Sequence, residues 1–233
     1  MIRIFKKNEN NFTLVGIIFI LLFLFLCSRF GSSSMLRTFG LSELNATILF
    51  ISRILYWISL VFLWLYSVKV EKRNVLIWKD HKYKLLTYAK SILLLFTVLF
   101  VGLILIQILY SLTNLNKHSI KLVEIGNILR QNKFLLVFTA LTAGVTEEII
   151  FRGYLQPRFE ILLKNSYLAI LICSILFGLL HYGYGTAINI IVPFFIGLVF
   201  AYYYSKYRNI KVLIICHFLW DLLTLFLLLK IRH

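Results

Sequence analysis

Repeated apolar runs constrain this chain more than any other feature. Seven runs approach or exceed the roughly 20 residues with which an α-helix crosses a bilayer. They cover residues 12–27, 46–68, 91–112, 134–156, 166–182, 186–205 and 212–229. The 233 residues are 61% hydrophobic with a mean hydropathy of +0.88, more apolar than a soluble domain of this length needs. The pattern predicts an all-α fold, a polytopic bundle of about seven transmembrane helices within a range of six to eight.

The basic residues of the chain follow its loops. A formal net charge of +16 invites a nucleic-acid-binding interpretation, but the Lys and Arg residues form neither one face nor one tail. They fall mainly between the apolar runs, and alternate loops carry nearly twice as many of them as the others. The positive-inside rule then predicts a multi-pass cell-membrane protein with a cytoplasmic N-terminus and an outer C-terminus. The predicted partner of these charges is the lipid bilayer, and no nucleic acid.

The connecting segments support further local predictions. Lys69 to Lys90 is the most basic loop, and Arg158 with Lys164 marks the next turn on the same side. Two glycines in Gly183-Tyr184-Gly185 predict a tight turn between two runs. Apolar residues interspersed with charges in 113–133 are typical of a short interfacial helix.

Two features of the N-terminal half allow alternative interpretations. The run at 12–27 could pass for a secretory signal peptide, but bulky Leu24-Phe25-Leu26 stands where a cleavage site needs small residues. We therefore interpret it as an uncleaved first helix. Arg53 lies about two turns into the second run, and it either snorkels to the outer interface, the preferred interpretation, or pairs inside the bundle.

The cysteines predict no covalent cross-link. There are three, an odd number, and no CxxC spacing suggests a metal knuckle. All lie in or beside apolar runs, where a free cysteine behaves as a small buried hydrophobe. They are Cys27, Cys173 and Cys216.

Ionisable residues inside the last four runs carry the functional signal. The chain has only 9 acidic residues, yet Glu147 and Glu148 are neighbours in the fourth run. A charge at membrane depth costs about 2.5–3.5 kcal/mol on insertion scales, so it is retained with a partner or a function. The full set is Glu147, Glu148, Arg152, His181, His217 and Asp221. Two pairs, Glu148 with Arg152 and His217 with Asp221, have the i, i+4 spacing that lets side chains meet.

The spacing along the chain brings a carboxylate and an imidazole to one depth. Glu147 and His181 are each 17 residues from Lys164, where the fourth and fifth runs turn. At 1.5 Å per residue, both lie about 25 Å along their helices. A carboxylate and an imidazole in an apolar pocket can activate water as a general base, and a second histidine with an aspartate can support a developing oxyanion. Singly, each residue also fits a structural role, such as charge pairing for Glu148 or packing for Phe177.

Three segments resemble the motifs of a known family. Glu147-Glu148-Ile-Ile-Phe-Arg152, Phe177-Gly-Leu-Leu-His181 and His217-Phe-Leu-Trp-Asp221 follow the patterns EExxxR, FxxxH and HxxxN/D in that order. In this they resemble the CPBP family of CAAX proteases and bacteriocin-processing enzymes, also called Abi, which includes type II CAAX prenyl endopeptidases. Asp221 stands where the eukaryotic prenyl proteases have Asn. The resemblance covers residues 134–229, which predicts N-terminal helices in 1–133 and a catalytic core in 134–233.

The resemblance implies an intramembrane glutamic protease, a hydrolase that cuts a peptide or protein substrate. Glu147 would be the general base and would activate water together with His181. His217 and Asp221 would stabilise the oxyanion or orient the substrate. The remaining motif residues would shape the site: Glu148, Arg152 and Phe177. No cofactor is implied.

Composition and chemistry leave the role of the protein open. A Lys- and Phe-rich chain poor in acids is typical of bacteria, which favours peptide processing or bacteriocin self-immunity over a prenylated substrate. One alternative is a zinc-dependent membrane peptidase with Glu147, His181 and His217 as ligands. Another is a non-enzymatic membrane scaffold or immunity protein that binds a peptide.

Overall fold

The computed structural model describes residues 2–29, 44–113, 115 and 119–230, and this part of the chain forms helices with irregular connections. The helices are α1 (Ile2–Arg29), α2 (Ala46–Lys69), α3 (Leu85–Ser111), α4 (Ile120–Gln131), α5 (Lys133–Leu163), α6 (Ser166–Leu180), α7 (Ile188–Tyr207) and α8 (Ile210–Lys230). Within the described ranges, all but α4 are long and apolar enough to cross a membrane, which makes 7 candidate spans. The predicted all-α bundle with about seven spans is therefore confirmed.

Short polar side chains begin several of these helices. Asn45 accepts a hydrogen bond from the Ile48 backbone N–H at 3.0 Å, and Asn132 does the same for Leu135. Asn165 accepts from two backbone N–H groups at the start of α6. Such caps satisfy N–H groups that have no partner within the helix. They explain why α2, α5 and α6 begin where polar residues interrupt the apolar pattern.

Two of the predicted turns are confirmed, but one residue assigned to a turn, Arg158, lies in a helix. Lys164 ends α5 in a left-handed conformation with φ +53°, at the predicted turn. A 3-10 turn over His181–Tyr184 leads to Gly185, whose φ of +83° suits glycine. Arg158, predicted as part of a turn, instead lies inside α5 with its side chain buried, so that prediction was wrong. The helix α4 exists as predicted, while its place at the membrane interface stays a prediction.

Hydrogen bonds between connections define two ends of the bundle. At the first, which we call the basic end, loop 70–84 meets the turn between α7 and α8, where the Asn209 amide donates to the His81 carbonyl at 2.6 Å. At the opposite end, which we call the site end, the Ser119 hydroxyl donates to the Tyr184 carbonyl at 2.6 Å. The loop richest in Lys and Arg therefore shares one end with the basic turn at 206–211, as the charge pattern predicted.

Helix α5 is the central and least regular helix. The apolar window of its span is 61% buried, against 33% or less for the other spans. Its two ends, Lys133–Thr142 and Gln156–Leu163, are α-helical, but π-helical turns occupy Ala143–Glu147 and Ile149–Leu155. Such wide turns are rare and recur at functional sites.

Glycines bring neighbouring helices into close contact at the centre of the bundle. A Cβ atom on Gly144 would lie 2.8 Å from the backbone N of Phe218 in α8. On Gly178 of α6, it would lie 2.9 Å from the Ile190 carbonyl oxygen in α7. Small residues at such crossings let transmembrane helices approach backbone to backbone. The result is a tight group of α5, α6, α7 and α8.

The N-terminal helices pack directly against this group. One buried cluster joins Ile17 of α1 and Tyr56 of α2 to Phe151 and Phe177 of the C-terminal helices. The three cysteines are free and buried, as predicted. The boundary between residues 133 and 134 stays a prediction.

Candidate active site

His217 of α8 is the residue around which the candidate site is built. Its Nδ1 lies 2.7 Å from Glu148 Oε1. Since an ionised carboxylate only accepts hydrogen bonds, this nitrogen is assigned as the donor. The other ring nitrogen, Nε2, is 3.9 Å from Glu147 Oε2 and 3.7 Å from Asp221 Oδ1. One imidazole therefore connects three of the predicted carboxylates.

The predicted pair of Glu148 and Arg152 forms within α5. The guanidinium donates to Glu148 Oε1 at 2.8 Å, with both side chains almost fully buried. Its carbon lies 4.5 Å from the ring centre of Phe177 and 5.5 Å from that of Phe200, which favours a cation–π interaction. Glu148 Oε2 and Arg152 Nε have no hydrogen-bond partner among the described residues. Glu148 thus shares a single oxygen between an arginine and His217.

His181 stands at the junction of α6 and the turn that follows. Its Nδ1 is 2.9 Å from the Phe177 carbonyl oxygen, which can only accept, so Nδ1 is again the donor. Nε2 is then the nitrogen left for other partners. The Phe177 ring packs against both imidazoles, with centroids 5.2 Å from His181 and 6.0 Å from His217. Phe177 therefore packs against the two imidazoles, while its role in shaping a functional site stays a prediction.

Two adjoining cavities bring the four predicted catalytic residues together. Their volumes are ≈ 60 and ≈ 220 Å³, and Glu147 and His181 line both. His217 and Asp221 line the larger one. The smaller cavity has space for several water molecules and reaches the site end, where it is lined by Ser28, Lys121 and Gly183. Glu147 and His181 therefore lie close to the same cavities, while their common depth in the membrane stays a prediction. The imidazole within ion-pair range of Glu147 is that of His217.

Sequence reasoning missed the contribution of α2 to this site. Arg53 lines both cavities together with Glu147 and His181. The structure thus supports a place inside the bundle over the preferred interpretation of snorkelling. Tyr56 and Tyr184 complete the wall beside Arg53 in the smaller cavity. An arginine two turns inside an apolar run was the available signal, because charges at such positions are kept for a partner or a function.

A second buried ion pair, also missed, holds α5 at the basic end. The Arg158 guanidinium contacts both carboxylate oxygens of Glu71, with Nε at 3.0 and 3.2 Å. It also donates to the Ser67 hydroxyl at 2.9 Å, while the Tyr154 hydroxyl donates to Glu71 at 2.7 Å. We call Ser67, Glu71, Tyr154 and Arg158 the Arg158 clamp. Its signal was Glu71 itself, an acidic residue near the start of the most basic loop.

The zinc alternative requires at least three side chains that can reach one metal ion. Among the residues that the structure describes, no group of three or more His, Cys, Asp or Glu side chains is placed to hold a metal ion. Glu147, His181 and His217 line a common cavity without forming such a group. That no cofactor is needed stays a prediction.

Comparison with known proteins bears on the C-terminal half of the chain. Residues 130–223 match the family model described as Rce1-like, type II CAAX prenyl endopeptidase Rce1-like. The matched segment begins just before α5 and contains all three motifs. It confirms the resemblance seen in the sequence. No curated protein and no solved structure was found to match the chain.

Proposed function

We propose that water activated by Glu147 and His181 cleaves the peptide substrate of this chain. The premise is that residues 130–223 belong to the Rce1-like family of type II CAAX prenyl endopeptidases and that the chain is a membrane protease. One observation carries the assignment of residues. Glu147 and His181 face one cavity with His217 and Asp221, although the four come from α5, the end of α6, and α8.

Glu147 is the general base in this mechanism. Its carboxylate takes a proton from water in the cavity, and the water oxygen forms a bond to the carbonyl carbon of the substrate. The Nε2 atom of His181 holds the same water, because its Nδ1 is occupied by the Phe177 carbonyl. A positioned base of this kind contributes about 10²–10⁴-fold to the rate. The proton then passes to the amide nitrogen as the carbon–nitrogen bond breaks.

His217 supports the oxyanion that forms on the carbonyl oxygen. In its protonated form it donates Nδ1–H to Glu148 and directs Nε2–H to the cavity. A donor held in place before the reaction stabilises the developing charge. Asp221 lies 3.7 Å from Nε2 and orients this donor. Glu148 and Arg152 hold the imidazole ring from the other side.

The test of this mechanism compares Glu147→Gln with the wild-type protein. Both are purified in detergent and incubated with a peptide library, and products are identified by mass spectrometry. The variant is expected to lose at least about 10²-fold in rate and to retain bound substrate for identification. Glu124→Gln on α4, a half-buried acid outside the cavities, serves as the matched control. Full activity of Glu147→Gln overturns the assignment.

The family resemblance supports peptide processing or bacteriocin self-immunity as the biological role. A scaffold that only binds a peptide would not need the reacting groups. Cells that carry Glu147→Gln or His181→Ala are therefore expected to lose protection against the cognate peptide. Full protection by both variants favours the scaffold alternative.

The orientation that charge favours places the N-terminus in the cytoplasm and the C-terminus outside. The smaller cavity reaches the site end, opposite the basic end, so it would open towards the outer face. In a cysteine-free background, Ser28→Cys is expected to react with a membrane-impermeant maleimide on intact cells, whereas Lys82→Cys reacts only after lysis. The reverse labelling pattern contradicts this orientation.

A further inference from the structure

Arg53 is half-buried, and its guanidinium differs from those of the buried Arg152 and Arg158 in having no carboxylate partner among the described residues. Among the described residues, its guanidinium makes one hydrogen bond, from Nε to the Ser52 hydroxyl at 3.2 Å, and lies 5.4 Å from the Tyr56 ring centre. Arginine has five N–H donors in a fixed fork. Arg152 and Arg158 each form an ion pair with a carboxylate, Glu148 and Glu71 respectively. No carboxylate of the described residues lies within ion-pair distance of Arg53.

The surroundings of Arg53 suit a small anion. It shares the smaller cavity with Lys121 of α4, so two cationic side chains from different helices line a volume of ≈ 60 Å³. Glu147 is the acidic residue lining this cavity. A guanidinium recognises a carboxylate through two parallel hydrogen bonds, and a low-dielectric site strengthens them.

The location of Arg53 ties this anion to the reaction. Glu147 lines both cavities that Arg53 lines, so a group held by Arg53 would lie beside the carbonyl group that the water activated by Glu147 attacks. Arg53 belongs to α2, outside the matched residues 130–223. A residue outside the segment that carries the family motifs would then select the substrate.

We propose that Arg53 is a specificity-determining residue that binds a carboxylate of the substrate close to the scissile bond. The inference rests on the proposed function, since it takes the substrate to be a peptide. A peptide offers this group from two sources, the C-terminal carboxylate or an acidic side chain. Lys121 adds positive charge at the mouth of the same cavity and steers the carboxylate inward.

The experiment measures binding to a catalytically silent protein. Glu147→Gln, purified in detergent, is titrated with three dye-labelled apolar nonapeptides of otherwise identical sequence, and fluorescence anisotropy is corrected for protein-free micelles. The first has a free C-terminus, the second a C-terminal amide, and the third the amide plus one internal Glu. At least one carboxylate peptide is expected to bind about 10-fold or more tightly than the plain amide, and the tighter one identifies the source.

A second substitution assigns the preference to Arg53. In the Glu147→Gln/Arg53→Gln protein the difference between the peptides is expected to disappear, whereas Arg53→Lys keeps part of it because a cation remains. Lys69→Gln, which removes a cation from the other end of α2, should leave the preference intact. Equal binding of all three peptides, including no binding of any, overturns the proposal. So does a preference that survives Arg53→Gln.

Failure of this inference can be told apart from failure of the proposed function. Hydrolysis by the wild-type protein plays no part in the binding experiment. Anisotropy is read immediately after mixing, with peptide integrity checked by mass spectrometry, so a carboxylate preference that depends on Arg53 would stand even if Glu147→Gln kept activity. Conversely, loss of hydrolysis in Glu147→Gln with equal binding of all peptides would retain the protease mechanism and remove the role of Arg53. Unchanged thermal unfolding of Arg53→Gln excludes a trivial loss of fold.

Discussion

Helix α5 presents two buried arginines that differ in how completely their partners surround them. Arg158 is bound to both oxygens of Glu71, to the Ser67 hydroxyl and to the backbone carbonyls of Val75 and Tyr154. Arg152, six residues earlier, makes one short bond to Glu148 and a long one of 3.4 Å to the Gly197 carbonyl. The first arrangement is closed, while the second leaves Glu148 Oε2 and Arg152 Nε without partners in the described chain.

The difference distinguishes a structural ion pair, Glu71 with Arg158, from the pair next to His217, Glu148 with Arg152. A buried ion pair is tolerated when further hydrogen bonds satisfy both ions, and the Arg158 clamp meets this condition. At Glu148, the oxygen that neutralises Arg152 also holds His217. An incompletely satisfied buried group in a native structure often marks function. Of the two ion pairs on this helix, the one at the basic end is thus closed by further hydrogen bonds, while the one beside His217 is the pair to which we assign a role in the proposed reaction.

The largest expected effect is the loss of stability from Glu71→Gln. The substitution keeps the size of the side chain but leaves Arg158 buried without a compensating charge, since no other described carboxylate lies within ion-pair distance. Breaking a buried pair in this way costs about 3–5 kcal/mol. Unfolding in a denaturing detergent titration should show this loss, with Lys72→Gln in the same loop as the control. A shift no larger than that of the control would contradict the description of a structural ion pair.

The matched change at the site, Glu148→Gln, should act mainly on the reaction. An amide cannot hold His217 Nδ1–H as a carboxylate does, and loss of a carboxylate that orients a catalytic histidine lowers the rate by about 10²-fold or more. The stability loss should be smaller than for Glu71→Gln, because Glu147 and Asp221 remain near His217 to balance the charge of Arg152. Rate and unfolding are measured on the same preparation. Equal stability losses at the two positions would remove the distinction.

Gly144→Ala tests whether the close contact of α5 with α8 maintains the site. The added Cβ would lie 2.8 Å from the Phe218 backbone N, which cannot move without its helix. Overpacking of this kind costs about 1–3 kcal/mol, and the shift of α8 should also lower the rate by moving His217. The control is Gly126→Ala, whose Cβ would meet only the flexible side chain of Leu228, at 3.3 Å. Thermal unfolding and rate should both fall for the first variant and change little for the second.

The smallest effect is expected when Arg158→Gln is added to Glu71→Gln. Once the carboxylate is gone, removal of the unpaired cation should cost no further stability and is expected to recover part of the loss. A double-mutant cycle should then give a coupling energy well above 1 kcal/mol for this pair. Additive losses would mean that Glu71 and Arg158 contribute independently, and the clamp would not be a unit.

The sequence was sufficient to predict the seven candidate spans and the set of residues, Glu147, His181, His217 and Asp221, that line one cavity. Span length follows from bilayer thickness, and the i, i+4 spacing of His217 and Asp221 places both on one face of α8. The partner of Arg158 was not accessible, because Glu71 lies 87 residues away and in a loop that composition assigns to solvent. Arg53 was misjudged for a related reason: charge alone does not distinguish an interface from an interior.

The geometry around Glu147 was beyond sequence reasoning for a different reason. A regular helix was assumed, and depth was counted at a constant rise from Lys164. The π-helical turns change the direction of the Glu147 and Glu148 side chains relative to that count. They let Glu148 reach His217 Nδ1 while Glu147 approaches Nε2 from the cavity. No residue type predicts a π-helical turn in the way that Pro or Gly predicts a bend.

The two π-helical turns in α5 also make the number of residues between Glu147 and Arg158 important. A side chain advances by about 100° around a regular helix with each residue, so the turns between Ala143 and Leu155 set the angular phase between Glu147 and Arg158. Deletion or insertion of one residue there would rotate one end of the helix by about that angle against the other. If the segment with Glu147 kept its position, Arg158 would face away from Glu71. If the segment with Arg158 kept its position, Glu147 would leave the cavity. Positions of this stretch that belong neither to the candidate site, nor to the Arg158 clamp, nor to the contact with α8 should therefore accept substitutions more readily than the stretch accepts a change in its number of residues.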